Sequence, residues 1–280
     1  MKMDTFLSRL ERACQTNRSL VCIGLDVDPT QMPVNDPFQF NRAIIDATRD
    51  LCCAYKPNLA FYEAMGMDGL RALEKTVAYI RDSAPNIIII GDAKRGDIGP
   101  SGEAYARAMF RFWDFDAVTV NAWGGHDTVA PFLADPERGA FIWCRGSNPG
   151  AGDLQDLEVN SAQGPTVLYQ HLAHSVQGWN QQRNVGLVVG ATYPEQLAAV
   201  RESCPELPLL IPGVGAQGGD LEAAVRHGTD AAGRLAIINS SRGIIYASHD
   251  SDYPEAARRE ASGLRDRINH VLESEGKGWT

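Results

Sequence analysis

The stretch IIIIGDAKRGDIG (87–99) joins four isoleucines to Asp92, Lys94, Arg95 and Asp97 with only Gly91 between. A β-branched run of this kind belongs in a core, and so dense a charge cluster belongs in water or in a site. Both conditions hold where a buried strand runs out at an open polar face. Asp92 and Lys94 are two apart, so in an extended segment they face the same way. A lysine beside carboxylates stays charged and becomes a positioned proton donor. The competing reading is a solvated turn carrying an ordinary surface ion pair, worth little. Gly91 and Gly96 are read as letting the backbone turn after the strand.

Apolar segments like 87–90 recur along the chain, at 20–25, 54–61, 117–120, 140–144, 185–189, 207–211 and 235–238. Most are continuous rather than alternating, as expected of parallel strands covered on both faces. Helical periodicity fills segments between them, at 40–51, 67–82, 102–112, 165–179, 194–204 and 220–227. Eight βα units predict a (β/α)8 TIM barrel. A doubly wound open sheet is the alternative, weakened because no Gly-rich dinucleotide turn follows the first strand. Phe6, Leu7, Leu10 and Ala13 predict an amphipathic helix over about 4–16, and the charged tail predicts another over about 253–275. The first is expected to pack on the domain and the second outside the barrel, with 1–280 forming one domain.

The 280 residues are 44% hydrophobic and 22% charged, with a formal net charge of −9. That balance argues against a nucleic-acid or anionic-membrane partner, while leaving room for a local basic pocket. No apolar run is long enough for a membrane span. The N-terminus reads as neither a signal nor a transit peptide. Six cysteines without a CxxC pair read as reduced, mostly buried thiols of a cytoplasmic protein. His171 and His174 share a predicted helix face, but no third ligand stands near them in sequence, so no metal site is assigned.

In a barrel the chemistry sits just past the C-terminal ends of the strands. Those positions carry Asp26, Lys56, the 92–97 charges, Asn121, Arg145 with Ser147 and Asn148, Pro212 with Gly213 and Gln217, and Asn239 with Ser240, Ser241 and Arg242. The opposite strand ends read as mostly Pro, Asn or small residues. GVGAQG (213–218) matches GxGxxG formally but falls after the seventh strand, where a phosphate cradle is the better reading. Arg242 can grip a phosphate through two parallel hydrogen bonds. The segment 146–164 reads as a long irregular loop, either a lid or an insertion.

D-A-K-R-G-D-I-G (92–99) resembles the D-x-K-x-x-D-I-G signature of the orotidine 5′-phosphate decarboxylase family. LDVD (25–28), AYKPN (54–58), RGSNPGA, PGVGAQGGD and NSSRGIIYA resemble the family's first-, second-, fifth-, seventh- and eighth-strand segments, and the length resembles its longer-chain bacterial type 2 subgroup. The resemblance implies a barrel homodimer that converts orotidine 5′-phosphate to UMP and carbon dioxide without metal or cofactor. It implies that Lys94 protonates C6, that Asp92 and Lys56 complete the charged array, and that Asp97 reaches the partner's active site to orient Lys94 and contact the ribose. It assigns Asp26 and Lys56 to ribose hydroxyls, Ser147 to the pyrimidine, Pro212 to the pocket wall, and Gln217 with Arg242 to phosphate; Ser241 is a further substrate-binding candidate beside Arg242. Ser101 stands where the family often has threonine, and Pro100 where it often has asparagine. Three rivals stay open: a magnesium-dependent sugar-phosphate decarboxylase of the same superfamily, whose strand 2 carboxylate is replaced here by Lys56; a Schiff-base aldolase; and a non-enzymatic nucleotide binder.

Overall fold

A computed structural model describes residues 4–162, 164–214 and 218–279. In chain order the elements are α1 (Phe6–Asn17), β1 (Val21–Leu25), α2 (Pro37–Thr48), β2 (Ala54–Pro57), α3 (Leu59–Ala64), α4 (Gly66–Ser83), β3 (Ile88–Arg95), α5 (Gly99–Arg107), β4 (Ala117–Val120), α6 (His126–Leu133), β5 (Gly139–Arg145), α7 (Gly152–Gln155), β6 (Glu158–Ser161), β7 (Gly164–Val167), α8 (Leu168–Trp179), β8 (Val185–Val189), α9 (Pro194–Ser203), β9 (Leu209–Ile211), α10 (Leu221–Gly228), β10 (Ala236–Ser240), α11 (Arg242–Ile245) and α12 (Tyr253–Ser274). Eight parallel strands close into a barrel in the order β1-β10-β9-β8-β5-β4-β3-β2. This is the (β/α)8 TIM barrel that the apolar runs predict, and the open sheet is excluded because β1 pairs with both β2 and β10.

Burial explains the continuous apolar runs. Val21, Ile23, Ile89, Ile90, Val118, Ile142, Leu187 and Ile211 are all fully buried, enclosed by the barrel interior or by the surrounding helices. Local signals set the helix starts. Asp36 accepts the N–H groups of Phe38 and Gln39 with Pro37 in the first turn, so α2 begins three residues before the expected 40. The Asn58 side chain accepts the N–H of Ala60 at 3.2 Å and starts α3, so β2 stops at Pro57 instead of running to 61. The helix expected over 102–112 is α5 followed by a π-helical turn over Ala108–Phe112.

Three expectations need correction. The isoleucine strand does not end at Ile90: β3 continues to Arg95, so Asp92 and Lys94 belong to the strand and not to a turn after it. Gly91 and Gly96 are likewise not turn-formers. A Cβ at Gly91 would overlap the Phe115 ring, and one at Gly96 would overlap the Asn121 carbonyl, so both serve close approach. The 146–164 segment is not irregular, because it folds into a 3-10 turn over Pro149–Ala151, then α7 and the antiparallel hairpin β6–β7. That hairpin takes residues 165–167 from the helix expected there, and α8 starts at Leu168.

The N-terminal end of the barrel is polar, contrary to the sequence reading. Asp116, fully buried, accepts from the Arg9 guanidinium, from Arg81 Nη1 at 2.8 Å and from the Ile89 N–H at 2.8 Å. Arg138 and Arg81 also bind Asp114. Phe6 of α1 seals the same end, edge-on to Phe141. The six cysteines are free and buried, and burial pushes the Cys22 thiol up to about 12. Among the described residues no helix is long and apolar enough to cross a membrane.

Candidate active site

The C-terminal strand ends surround a cleft of about 270 Å³. Its floor is built by three adjacent strands. β2 contributes Lys56, which is buried, and β3 contributes Asp92 and Lys94. Lys56 Nζ donates to Asp92 Oδ2 at 3.1 Å, and Lys94 Nζ donates to Asp92 Oδ1 at 2.6 Å. From β4, the Thr119 hydroxyl donates to Asp92 Oδ1 at 2.8 Å and accepts the Lys94 N–H at 3.0 Å. One buried carboxylate therefore organises two ammonium groups and a hydroxyl.

Lys94 reaches this position through an unusual backbone. Its φ is 47°, in the left-handed region, and the β3–β4 register shifts between Gly91 and Arg95. Such a conformation costs a lysine about 1–3 kcal/mol and persists only where its surroundings hold it. The Thr119 hydroxyl and the Asp92 carboxylate hold it here. Asp92 and Lys94 thus meet, as their spacing predicts, but through a kinked strand and not a regular extended one.

Burial opposes charge on this floor, and the partners outweigh it. Burial would raise the Asp92 carboxyl, but Lys56 and Lys94 hold it well below the usual carboxylate range. Burial would lower the Lys56 ammonium, but Asp92 and Asp26 hold it above the usual lysine value. Both groups are charged at neutral pH.

The rest of the cleft is lined by Asp26, Trp143, Arg145, Ser147, Asn148, Val188, Leu210, Pro212, Gly213, Val214, Asn239, Ser241 and Arg242, among others. Lys56, Lys94, Arg145 and Arg242 face Asp26 and Asp92, so the cleft carries a cationic excess in a chain of net charge −9. Asp26 Oδ1 and Asn239 Oδ1 are buried there without a hydrogen-bond partner. Unpaired buried acceptors are uncommon in a folded protein and mark places where a ligand can donate.

The sequence-derived candidates that come together in this cleft are Asp26, Lys56, Asp92, Lys94, Ser147, Pro212, Ser241 and Arg242, with the strand-end residues Arg145, Asn148, Gly213, Asn239 and Ser240 beside them. Asp97 and Ser101 do not line it. Asp97 accepts its neighbour Ile98's N–H at 2.8 Å, and Ser101 is exposed on α5. Gln217 lies outside the described residues. Asn121, taken from the end of the fourth strand, borders a separate pocket with Trp123 and Trp179, and Thr119 takes its place in the cleft. Sequence position alone does not single out Thr119 and Trp143, because both lie within their strands. The signal available was the polar threonine inside an otherwise apolar strand, and the tryptophan two positions before Arg145 on the same strand face. Among the described residues no three His, Cys, Asp or Glu side chains cluster as a metal ligand set, His171 and His174 included.

Residues 19–259 match the orotidine 5′-phosphate decarboxylase / HUMPS family. The chain is 47% identical over 266 residues to the orotidine 5′-phosphate decarboxylase of Dehalococcoides mccartyi strain CBDB1, covering 95% of this chain and 97% of that one. It is 48% identical over 274 residues to that of Thermomicrobium roseum, covering 95% and 96%. The structure of Leishmania donovani OMP decarboxylase superposes with a TM-score of 0.83 at 35% identity, covering 95% of this chain and 98% of that one.

Proposed function

This chain belongs to the orotidine 5′-phosphate decarboxylase / HUMPS family, and from that premise we propose that it converts orotidine 5′-phosphate to UMP and carbon dioxide, without metal or cofactor and with Lys94 as the proton donor. The enzyme is a carboxy-lyase. The observation that carries the mechanism is the buried Lys56–Asp92–Lys94 array, whose second ammonium, 44% exposed, lines the cleft.

In the reaction the bond from C6 to the carboxylate breaks, carbon dioxide departs, and the electron pair stays on C6. The pyrimidine offers no electron sink for a vinylic carbanion, so a fixed cation must stand where the charge develops. Lys94 supplies that cation and transfers its proton to C6, and the neutral amine is reprotonated from solvent. Asp92 holds the Lys94 ammonium in place beforehand through the 2.6 Å hydrogen bond, and its own charge next to the substrate carboxylate disfavours the bound ground state. Asp26 and Lys56 bind the ribose hydroxyls, and the unpartnered Asp26 Oδ1 is an acceptor suited to that task. Ser147 reads the pyrimidine and Pro212 lines its wall. Ser241 and Arg242 bind the phosphate together with Gln217.

Binding energy from the phosphate, remote from C6, assists the chemistry as well as affinity. Any metal ion brought to Asp92 would meet two ammonium groups, which supports a metal-free step. We further propose a homodimer in which Asp97 and Ser101, absent from the cleft of their own chain, serve the partner's. The whole chain acts as one barrel domain in the cytoplasm, supplying UMP for pyrimidine biosynthesis. The direct test is to add orotidine 5′-phosphate with an excess of chelator and follow the ultraviolet change as the carboxylate is lost. Undiminished turnover is expected. Turnover abolished by the chelator overturns the metal-free step, and its absence in all conditions overturns the activity.

A further inference from the structure

The end of β5 rests on one arginine to which the mechanism above gives no role. Arg145 is only 2% exposed and lines the cleft. Its Nη1 donates to the Gly146 carbonyl at 3.0 Å and to Gln155 Oε1 at 3.4 Å, and its Nη2 donates to Asp156 Oδ2 at 3.0 Å. Its Cζ lies 4.8 Å from the centre of the Tyr193 ring. Gln155 Oε1 also accepts the Gly146 N–H at 2.8 Å, and Gln196 Nε2 reaches Asp156 Oδ1 at 3.4 Å. One guanidinium thus joins the end of β5, the segment carrying α7, and the approach to α9. Ser147 sits inside this junction. Its carbonyl accepts the Thr192 hydroxyl at 3.1 Å, and its backbone lies so close to Gly190 that a Cβ on Gly190 would come within 2.8 Å of it.

We propose that Arg145, clamped by Asp156 and Gln155, is a positioning residue for recognition of the pyrimidine base, holding Ser147 and Asn148 at the cleft wall. The proposal rests on the reading that Ser147 faces the base. A buried cation brings no stability that an apolar side chain of similar size would not. A planar guanidinium does supply direction, because its fork fixes two donors at once. Here one donor goes to the backbone carbonyl of Gly146, next to Ser147, and another to the inserted segment. Packing of that segment is thereby coupled to the placement of Ser147. Arg145 acts through Ser147 and is not assigned any contact with the reacting carbon.

The test compares Arg145→Gln, Asp156→Asn and the double variant, reading KM for orotidine 5′-phosphate and the inhibition constants of UMP and of ribose 5-phosphate. Both single variants should weaken UMP by about tenfold or more while ribose 5-phosphate, which lacks the base, changes by less than about twofold. The double variant should be no worse than the worse single one, because both changes break the same clamp. Arg145→Lys, which keeps the charge without the fork, should recover only part of the loss. Equal weakening of UMP and ribose 5-phosphate, additive losses, or unchanged UMP binding would each overturn the proposal. If Arg145→Gln fails to fold, Asp156→Asn carries the test, since that carboxylate is 37% exposed. A wild-type chain that binds UMP but turns over no substrate would overturn the decarboxylase reading, and the UMP arm would still decide the role of Arg145.

Discussion

Asp92 and Asp116 are two buried aspartates at opposite ends of the same barrel, and each gathers cations around itself. At the N-terminal end Asp116 is saturated. Two arginines and the Ile89 N–H take its oxygens, and its fully buried carboxylate has no route to a ligand. At the C-terminal end Asp92 is also fully engaged, but its partners are not. Lys94 is 44% exposed, and the neighbouring Asp26 Oδ1 and Asn239 Oδ1 lack partners. The N-terminal cluster spends its hydrogen bonds on closing the barrel, with Arg9 tethering α1 and Arg81 tethering α4 to the starts of β3 and β4. The C-terminal cluster leaves capacity unused and holds Lys94 in a strained backbone to do so. Buried charge alone therefore does not mark a site; unspent hydrogen-bonding capacity beside an open cleft does.

The largest effect that can break this contrast is Lys94→Ala. Turnover of orotidine 5′-phosphate should fall about 10³-fold or more, since both proton donation and charge stabilisation are lost. Unfolding free energy should change by less than about 1 kcal/mol, because a half-exposed ion pair contributes little and Asp92 keeps Lys56. The ultraviolet assay and urea unfolding check the two halves, and a near-normal rate would remove Lys94 from the mechanism. Asp116→Ala should do the reverse. It leaves Arg81 Nη1 and the Ile89 N–H without their buried acceptor, although Asp114 still binds Arg81, and should destabilise by about 3 kcal/mol, while kcat per folded molecule stays unchanged. A loss of kcat without loss of stability would mean that the N-terminal cluster is functional after all.

The sequence makes this contrast only half legible. The continuous runs at 117–120 and 185–189 have the observed bounds, because a parallel strand buried on both faces needs no cap to define it. Asp92 and Lys94 of the signature could be placed at the cleft because barrel geometry puts strand ends there. The Asp116 cluster is illegible in sequence for the opposite reason. Its members, Arg9, Arg81, Asp116 and Arg138, are scattered along the chain and meet only when the barrel closes. The inserted segment carrying α7 has no visible pattern in sequence because its four-residue helix and two short strands are below the length at which periodicity shows. The kink at Lys94 carries no local signal either, since lysine has no preference for a left-handed backbone. Thr119 enforces it from the neighbouring strand.

Thr119→Val sharpens the comparison with the smallest change, as it removes one hydroxyl and nearly nothing else. The variant should fold, since valine fills the same volume in β4. Asp92 loses one donor and the Lys94 N–H loses its acceptor, so the strained backbone is less firmly held, and turnover should fall about tenfold, the equivalent of one net hydrogen bond. Stability should respond to pH with a defined sign. Asp92, depressed in the folded state chiefly by its two lysines against burial, contributes stability above the ordinary carboxylate range and loses it as pH falls through the folded value. Thr119 adds to that depression, so its loss lets the folded value rise and reduces the contribution. The gap in unfolding free energy between wild type and variant should therefore be constant from neutral pH through the ordinary carboxylate range and should narrow only as pH falls through the two folded values, well below that range. Urea titrations at pH 7 and at pH values well below the ordinary carboxylate value of about 4 measure it. A gap that stays constant even at the lower pH would show that Thr119 acts by packing alone, and that the polarity of the Asp92 cluster is set by the lysines without it.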